Sequence, residues 1–276
     1  MQKLASKFGR NAHELRSSYP LSDDEMRGVA PSIFALEPHE SRSEKYSYIP
    51  TIDVLSKLRK EGFEPFMVAQ TRVRDASNAG YTKHMIRMRH ANQIAGNDAN
   101  EVILLNSHNG ASSYQMLAGC FRGVCKNGMV VGTVQNDIRI PHKGDVAHNV
   151  IEGAIRVLDS FEAVDEQREG MKSLRLSEAE QMAYASAALA ARYETEDGQA
   201  PINERQLLSV RRWEDNAPDL WTTFNRVQEN VIRGGLQGRN AAGRRTTTRA
   251  VTGIDQDVKL NRALWILAER MREIKG

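Results

Sequence analysis

The pattern of apolar and polar residues changes about halfway along this chain of 276 residues. Between residues 66 and 140 the apolar residues form short runs separated by turn-forming residues, which is typical of β-strands. Asn109-Gly110 and Asn127-Gly128 are hairpin signals, and the short connections favour antiparallel pairing. We predict a mostly antiparallel sheet in the N-terminal half, with strands near 66–73, 81–90, 101–106, 113–121, 129–134 and 137–140.

From residue 146 onward the apolar residues recur at helical spacing. Ser177 and Glu180 form a predicted capping box at the start of one helix, as Ser22 and Glu25 do nearer the N-terminus. Thr51 is a candidate N-cap for a helix that precedes the sheet. The helices predicted after the sheet cover about 146–161, 177–193, 203–208, 220–232 and 255–274. A sheet followed by helices indicates the α+β class.

The pattern divides the chain into two regions. Residues 1–145 hold helix and antiparallel sheet, residues 146–276 are helical, and we expect the two regions to pack as one unit. Residues 233–252, RGGLQGRNAAGRRTTTRAVT, interrupt the helical region and contain no acidic residue. Glycine and small polar residues make this segment a poor part of a core. We therefore predict a mobile basic loop between two helices.

Composition narrows the class of protein. Hydrophobic residues make up 40% and charged residues 26% of the chain, which excludes general disorder. No apolar run approaches the roughly 20 residues that a membrane-spanning helix needs. The N-terminal residues lack the apolar segment of a secretory signal, and the two cysteines, Cys120 and Cys125, fit a reducing compartment. We expect a cytoplasmic protein without a membrane partner, and two cysteines that are buried rather than zinc ligands.

Positive charge collects in two places, although the net charge is only +3. One is the predicted hairpin between residues 72 and 89, where residues two apart share a strand face. The other is the basic loop at 233–252. Either surface suits phosphate binding, while a solvated sheet face and a flexible connector are the alternatives. The candidate nucleic-acid-binding residues are Arg72, Arg74, Lys83, Arg87, Arg89, Arg239, Arg244, Arg245 and Arg249.

The sequence contains no specific catalytic, metal-binding or cofactor-binding motif. Ser107 and His108 adjoin a turn and are interpreted as turn residues. Asp145 is interpreted as a helix N-cap, with catalysis beside His142 and His148 as the alternative. Trp213 and Trp221 are interpreted as core or interface anchors, with base stacking as the alternative. We predict no catalytic residue, no metal and no cofactor.

A family resemblance is carried by several blocks: HESRSEKYSYIPTI at 39–52, LLNSHNGASSYQM at 104–116, PHKGD at 141–145, RRWED at 211–215, and residues 220–239 and 249–269. They resemble, in this order, the YafZ/YfjQ family of uncharacterised prophage- and plasmid-borne proteins. The resemblance implies no known activity. It implies a setting among antirestriction and DNA-repair-like genes of mobile elements, which is an association with DNA rather than a mechanism.

These observations lead to three hypotheses. The first is a DNA-binding accessory protein of a mobile element, more suited to single-stranded than to double-stranded DNA, which self-assembles and promotes strand annealing without catalysis. The second is a protein-binding inhibitor of a host defence enzyme, whose basic residues meet an acidic partner. The third is a metal-dependent nuclease or hydrolase that uses acidic residues such as Asp137 or Asp145.

Overall fold

A single antiparallel sheet organises the N-terminal half of the protein. The structure, a computed structural model, describes residues 4–6, 12–41, 48–73, 76–93, 98–123, 127–132, 137–141, 145–193 and 200–276. The strands of this sheet are β1 (Leu4–Ser6), β2 (Ala12–Arg16), β3 (Phe63–Thr71), β4 (His84–His90), β5 (Asp98–Asn106), β6 (Tyr114–Arg122), β7 (Asn127–Val130) and β8 (Ile138–Ile140). Neighbours in sequence are neighbours in the sheet from β1 to β7, and β8 also pairs with β6.

Strand register follows from the turns and the apolar pattern. Gly110, in the β5–β6 connection, has a φ of 79°, a backbone conformation that glycine adopts without steric cost. Across this hairpin Val102 pairs with Ala118 and Leu104 with Met116. Side chains two apart share a sheet face, so Val102 and Leu104 point into the same core. The predicted antiparallel sheet is confirmed.

Three helices cover one face of the sheet. They are α1 (Asp23–Arg27), α2 (Thr51–Lys60) and α3 (Val146–Asp159). Val54 and Leu58 of α2 and Val150 of α3 are completely buried in the core cluster that also contains Ile86 of β4. Ser22 begins α1 with the predicted capping box, and Asp145 begins α3 by accepting a hydrogen bond from the His148 amide at 3.1 Å.

The remaining helices form the C-terminal half of the chain. They are α4 (Phe161–Ser173), α5 (Glu178–Tyr193), α6 (Glu204–Leu207), α7 (Leu220–Arg233) and α8 (Ile254–Lys275), with the short strands β9 (Gln237–Arg239) and β10 (Arg245–Thr247) between α7 and α8. Phe224 of α7 packs edge-on against Trp265 of α8 with ring centroids 6.0 Å apart. The buried Tyr184 of α5 donates a 2.7 Å hydrogen bond to the Leu264 carbonyl. The α+β class is thus confirmed.

Two compact units are distinguished by their internal contacts. The first comprises Met1–Gly128, Val134–Phe161 and Thr252–Ile254; the second comprises Met129–Thr133, Glu162–Val251 and Asp255–Gly276. Helix α3 therefore belongs with the sheet, although the sequence pattern groups it with the helical region. Packing of the two regions as one unit stays a prediction. Across the described ranges, no helix combines the length and apolar character needed to cross a membrane.

Candidate functional site

The basic segment at 233–252 contains two short paired strands, where the sequence pattern predicts a loop. Strands β9 and β10 form an antiparallel hairpin in which Arg239 pairs with Arg245 and Gln237 with Thr247. Gly234 and Gly235 have φ values of 62° and 82°. These left-handed conformations favour glycine, so the glycines that indicate flexibility in the sequence instead turn the chain from α7 into the hairpin.

One face of this hairpin is fixed to the body of the second unit. The Arg239 amide donates a 2.9 Å hydrogen bond to the Pro201 carbonyl, and the Gln206 side chain donates one of 2.6 Å to the Gln237 carbonyl. A Cβ added at Gly238 would lie only 1.8 Å from the Pro201 oxygen. Only glycine permits this approach, so the hairpin is anchored at its middle.

The opposite face presents hydrogen-bond donors to solvent. Gln237, Arg239, Arg245 and Thr247 are exposed, and alternation along both strands places them on one face. Arg239 and Arg245 are direct cross-strand partners, and like charges placed opposite each other are unfavourable. An open depression of about 590 Å³ is lined by residues 237–239 and 245–247.

Two further predicted residues extend this surface. Arg244 is exposed in the turn that leads into β10. Exposure alternates from residue 245 to residue 249, with Thr248 buried and Arg249 exposed. Among the residues that the structure describes, no carboxylate forms an ion pair with any arginine of this set, which we call the hairpin arginines: Arg239, Arg244, Arg245 and Arg249.

The other predicted basic surface is not formed as expected. Arg87 and Arg89 are only 1% and 6% exposed, so they do not line an accessible groove. Their Nε atoms donate to the Glu101 carboxylate at 2.5 Å and 3.0 Å. A Cβ at Gly119 or Gly128 would lie 2.8 Å or 2.6 Å from the Arg87 guanidinium. The two glycines therefore make room for a buried ion pair.

The neighbouring arginines explain why the buried Glu101 carboxylate is charged. Burial alone would raise the pKa of Glu101, but the charges of Arg87, Arg89 and Arg16 outweigh burial and lower it. The Arg89 guanidinium lies 4.3 Å from the ring centroids of both Phe66 and Phe121, so cation–π contacts add to the ion pair. Arg87 and Arg89 stabilise the sheet and are removed from the candidate interface.

Arg72 and Lys83 lie together at one end of the β3–β4 pair. Thr71, the last residue of β3, donates its amide to the Lys83 carbonyl at 2.9 Å. Both Arg72 and Lys83 are partly exposed. Arg74, predicted with them, lies outside the described residues. In the part of the sheet that the structure describes, Arg72 and Lys83 form a small basic corner and no continuous basic face.

A buried polar cluster, which the sequence pattern did not predict, lies beside α2. The Thr51 hydroxyl is within 2.9 Å of His84 Nε2, 3.2 Å of His108 Nε2 and 3.3 Å of the Tyr114 hydroxyl, and it accepts from Asn106 at 3.0 Å. All five residues are completely buried. Pro50 occupies the N-cap of α2, so Thr51 does not cap the helix and serves this cluster instead.

The surroundings of His84 in this cluster favour its neutral form. Burial lowers the pKa of His84 well below its ordinary value, the nearby His108 lowers it further, and a hydrogen bond to the Thr82 carbonyl acts in the opposite direction. Ser32 lies 2.9 Å from His84 Nδ1 and donates to Gln70 at 2.7 Å. The described residues contain no group of three histidine, cysteine or acidic side chains that could hold a metal.

Burial gives this cluster a structural role in joining β4, β5 and α2. His108 is more than the turn residue that its position suggests, because it is completely buried. The sequence signal for this cluster is the polar run Asn106-Ser107-His108 directly after a buried strand. Polar groups next to a core need hydrogen-bond partners, so such a run indicates a buried polar cluster.

Trp213, in the RRWED block, and Trp221, in α7, differ in their exposure to solvent. Trp221 is 3% exposed and lies in the core of the second unit, whereas Trp213 is 83% exposed. Core packing is thus confirmed for Trp221, whereas Trp213 lies outside the core and its prediction as an interface anchor stays a prediction. Asp145 is the N-cap of α3 as expected, and Cys120 is buried as expected. His142 and Cys125 lie outside the described residues.

Comparison with known proteins agrees with the resemblance carried by the sequence blocks. Residues 38–265 match the family described as a domain of unknown function, DUF932. The chain is 56% identical over 271 residues to the UPF0380 protein YfjQ and 55% identical over 271 residues to the UPF0380 protein YafZ, both of Escherichia coli (strain K12), with 98% of each chain covered. No solved structure matches the chain. YafZ and YfjQ are thus close relatives of this chain. The family match over residues 38–265 shows that the chain belongs to the DUF932 family.

Proposed function

We propose that this protein binds DNA through the exposed face of the β9–β10 hairpin. The observation that carries the proposal is the direct cross-strand pairing of Arg239 with Arg245, both exposed. Two like charges placed opposite each other cost stability. A phosphate between them would remove this cost, because a guanidinium donates two parallel hydrogen bonds to phosphate oxygens.

The neighbouring residues suit the same ligand. Gln237 and Thr247 on the same face have side chains that donate hydrogen bonds to phosphate oxygens. Arg244 and Arg249 extend the positive charge along the hairpin. The hairpin backbone is fixed to residue 201 by hydrogen bonding, so less backbone entropy is lost when a ligand binds.

The side chains on this surface can all donate hydrogen bonds to phosphates, so we propose an accessory role in which no bond is made or broken. Single-stranded DNA, held while its bases remain free to pair, is the form that fits an annealing role in a mobile element. Self-assembly of the protein would lengthen the bound segment. Arg72 and Lys83 are secondary candidates at the sheet corner.

The test is the fluorescence anisotropy of labelled single-stranded and double-stranded oligonucleotides between 50 and 200 mM salt, without metal. Four phosphate contacts to a single strand predict an affinity loss of about 50-fold over this range, because each contact contributes a slope of about −0.7. The Arg239→Gln/Arg245→Gln variant keeps two contacts and should lose only about 7-fold.

A matched control removes the same two charges elsewhere. Arg156→Gln/Arg270→Gln alters side chains that are both 69% exposed and lie outside the hairpin. This control should keep the salt dependence of the unaltered protein. Absence of binding to either oligonucleotide, or equal slopes for the two double variants, would overturn the proposal. Absence of binding would also favour an acidic protein partner for the hairpin.

A further inference from the structure

Trp213 exposes its indole to solvent in a way that packing does not explain. It is 83% exposed, while the other two tryptophans of the chain, Trp221 and Trp265, are 3% and 1% exposed. An exposed tryptophan leaves a large apolar and aromatic ring face in water, which a flat aromatic ligand can cover.

The backbone around Trp213 is held firmly from both sides. Arg212 donates to Asp215 at 2.6 Å and to the buried Glu229 of α7 at 2.7 Å. Arg211 donates to Asn230 at 2.7 Å. These charge-assisted bonds order the short 3₁₀ turn Trp213–Asp215. The indole is therefore presented by a pre-organised support rather than by a loosely held loop.

The same support is bonded to the base of the hairpin. Arg211 donates a second hydrogen bond, of 2.7 Å, to the carbonyl of Gly234, where the chain leaves α7. Arg239 follows five residues later, so the chain between them spans at most about 18 Å. Trp213 and the hairpin arginines thus belong to one unit, in which the Arg211–Gly234 hydrogen bond connects the segment before Trp213 to the chain entering the hairpin.

We infer that Trp213 is a base-stacking residue and that the ligand of this site is a nucleic-acid strand with unpaired bases. This inference rests on the proposed function, because the hairpin arginines hold the phosphates. An indole ring stacks on any base without regard to sequence, and bases inside a duplex are not available to it. The site therefore selects single strands over duplexes through Trp213, while the arginines supply charge.

The experiment compares an oligothymidylate with an abasic oligonucleotide of the same length, which keeps the phosphates and lacks the bases. The unaltered protein should bind the oligothymidylate more tightly. Trp213→Ala should weaken oligothymidylate binding by roughly 5- to 150-fold and leave abasic binding and the salt slope unchanged. Trp213→Phe, which keeps an aromatic ring, should restore part of the loss.

Intrinsic fluorescence gives a second readout. Since Trp221 and Trp265 are buried, quenching by the oligothymidylate should come from Trp213 and be lost in Trp213→Phe. Binding of neither probe would refute the DNA proposal itself. Equal binding of both probes, with no effect of Trp213→Ala, would refute stacking while the hairpin proposal stands. An equal loss for both probes in Trp213→Ala would also refute stacking, and would assign Trp213 to the support of the hairpin.

Discussion

Replacing Glu101 by glutamine tests whether its carboxylate holds the centre of the sheet together. The carboxylate is completely buried and accepts hydrogen bonds from Arg87 and Arg89, whose side chains are 1% and 7% exposed. The amide of glutamine neutralises neither guanidinium. Two positive charges would then lie buried next to each other without the carboxylate that binds both of them, which is the costly way to break a buried ion pair.

The expected size follows from this geometry. Removing one partner of a buried pair costs about 3–5 kcal/mol. If the free energy of unfolding falls by about 2 kcal/mol per molar urea, the urea midpoint of the first unit should fall by about 2 M. The assay is urea unfolding followed by circular dichroism. Glu152→Gln is the control, because Glu152 lies on α3 of the same unit and its side chain is 49% exposed.

A second variant separates charge from shape. Arg87→Met/Arg89→Met/Glu101→Leu removes all three charges and fills the site with apolar atoms, so it should recover much of the stability that Glu101→Gln loses. Methionine also keeps contact with the aromatic rings beside residue 89. A midpoint shift below about 0.5 M in Glu101→Gln, which corresponds to about 1 kcal/mol, would refute the reasoning.

Two more outcomes are expected. The pKa of His84 is lowered in the folded protein, so the unfolded state binds more protons below about pH 6.5 and stability should fall as pH drops through this value. His84→Asn should flatten this fall. Urea midpoints at pH 7.5, 6.5 and 5.5 measure the pH dependence, and an unchanged profile in the variant would contradict the expectation. Gly238→Ala would place a Cβ 1.8 Å from the Pro201 oxygen and so displace the hairpin from its anchor. Trypsin should then cleave the hairpin faster than in the Gly80→Ala control, where an added Cβ contacts nothing within 4 Å. Equal cleavage rates in the two variants would contradict this expectation.

Local pattern was sufficient for the elements that turns and apolar runs mark. The strands near 101–106 and 113–121 appear in the structure as β5 and β6, and the capping boxes at Ser22 and Ser177 begin helices. Strand β2 was not predicted, because AHELR contains few apolar residues and becomes a strand only by pairing Leu15 with Val68 of β3. That information is held in a distant segment.

The candidate site shows the same division. The spacing of Arg87 and Arg89 correctly places them on one strand face, yet Glu101, on the neighbouring strand β5, forms ion pairs with both of them. His84 and Asn106 become partners through β4–β5 register and not through any local motif. The hairpin at 237–247 depends on a backbone contact with residue 201, so composition alone indicated a loop.

The order of strands in the sheet also bears on how the protein is made. From β3 to β7 each strand pairs with the next one in sequence across a short connection, so this part of the sheet grows by closing short loops as the chain leaves the ribosome. Its apolar face still waits for α3, which begins only at Val146. A nascent chain interrupted between Ile140 and Val146 would carry an assembled sheet whose apolar face is covered by α1 and α2 but lacks α3. Such a product is a client for chaperones and proteases rather than a shorter working protein.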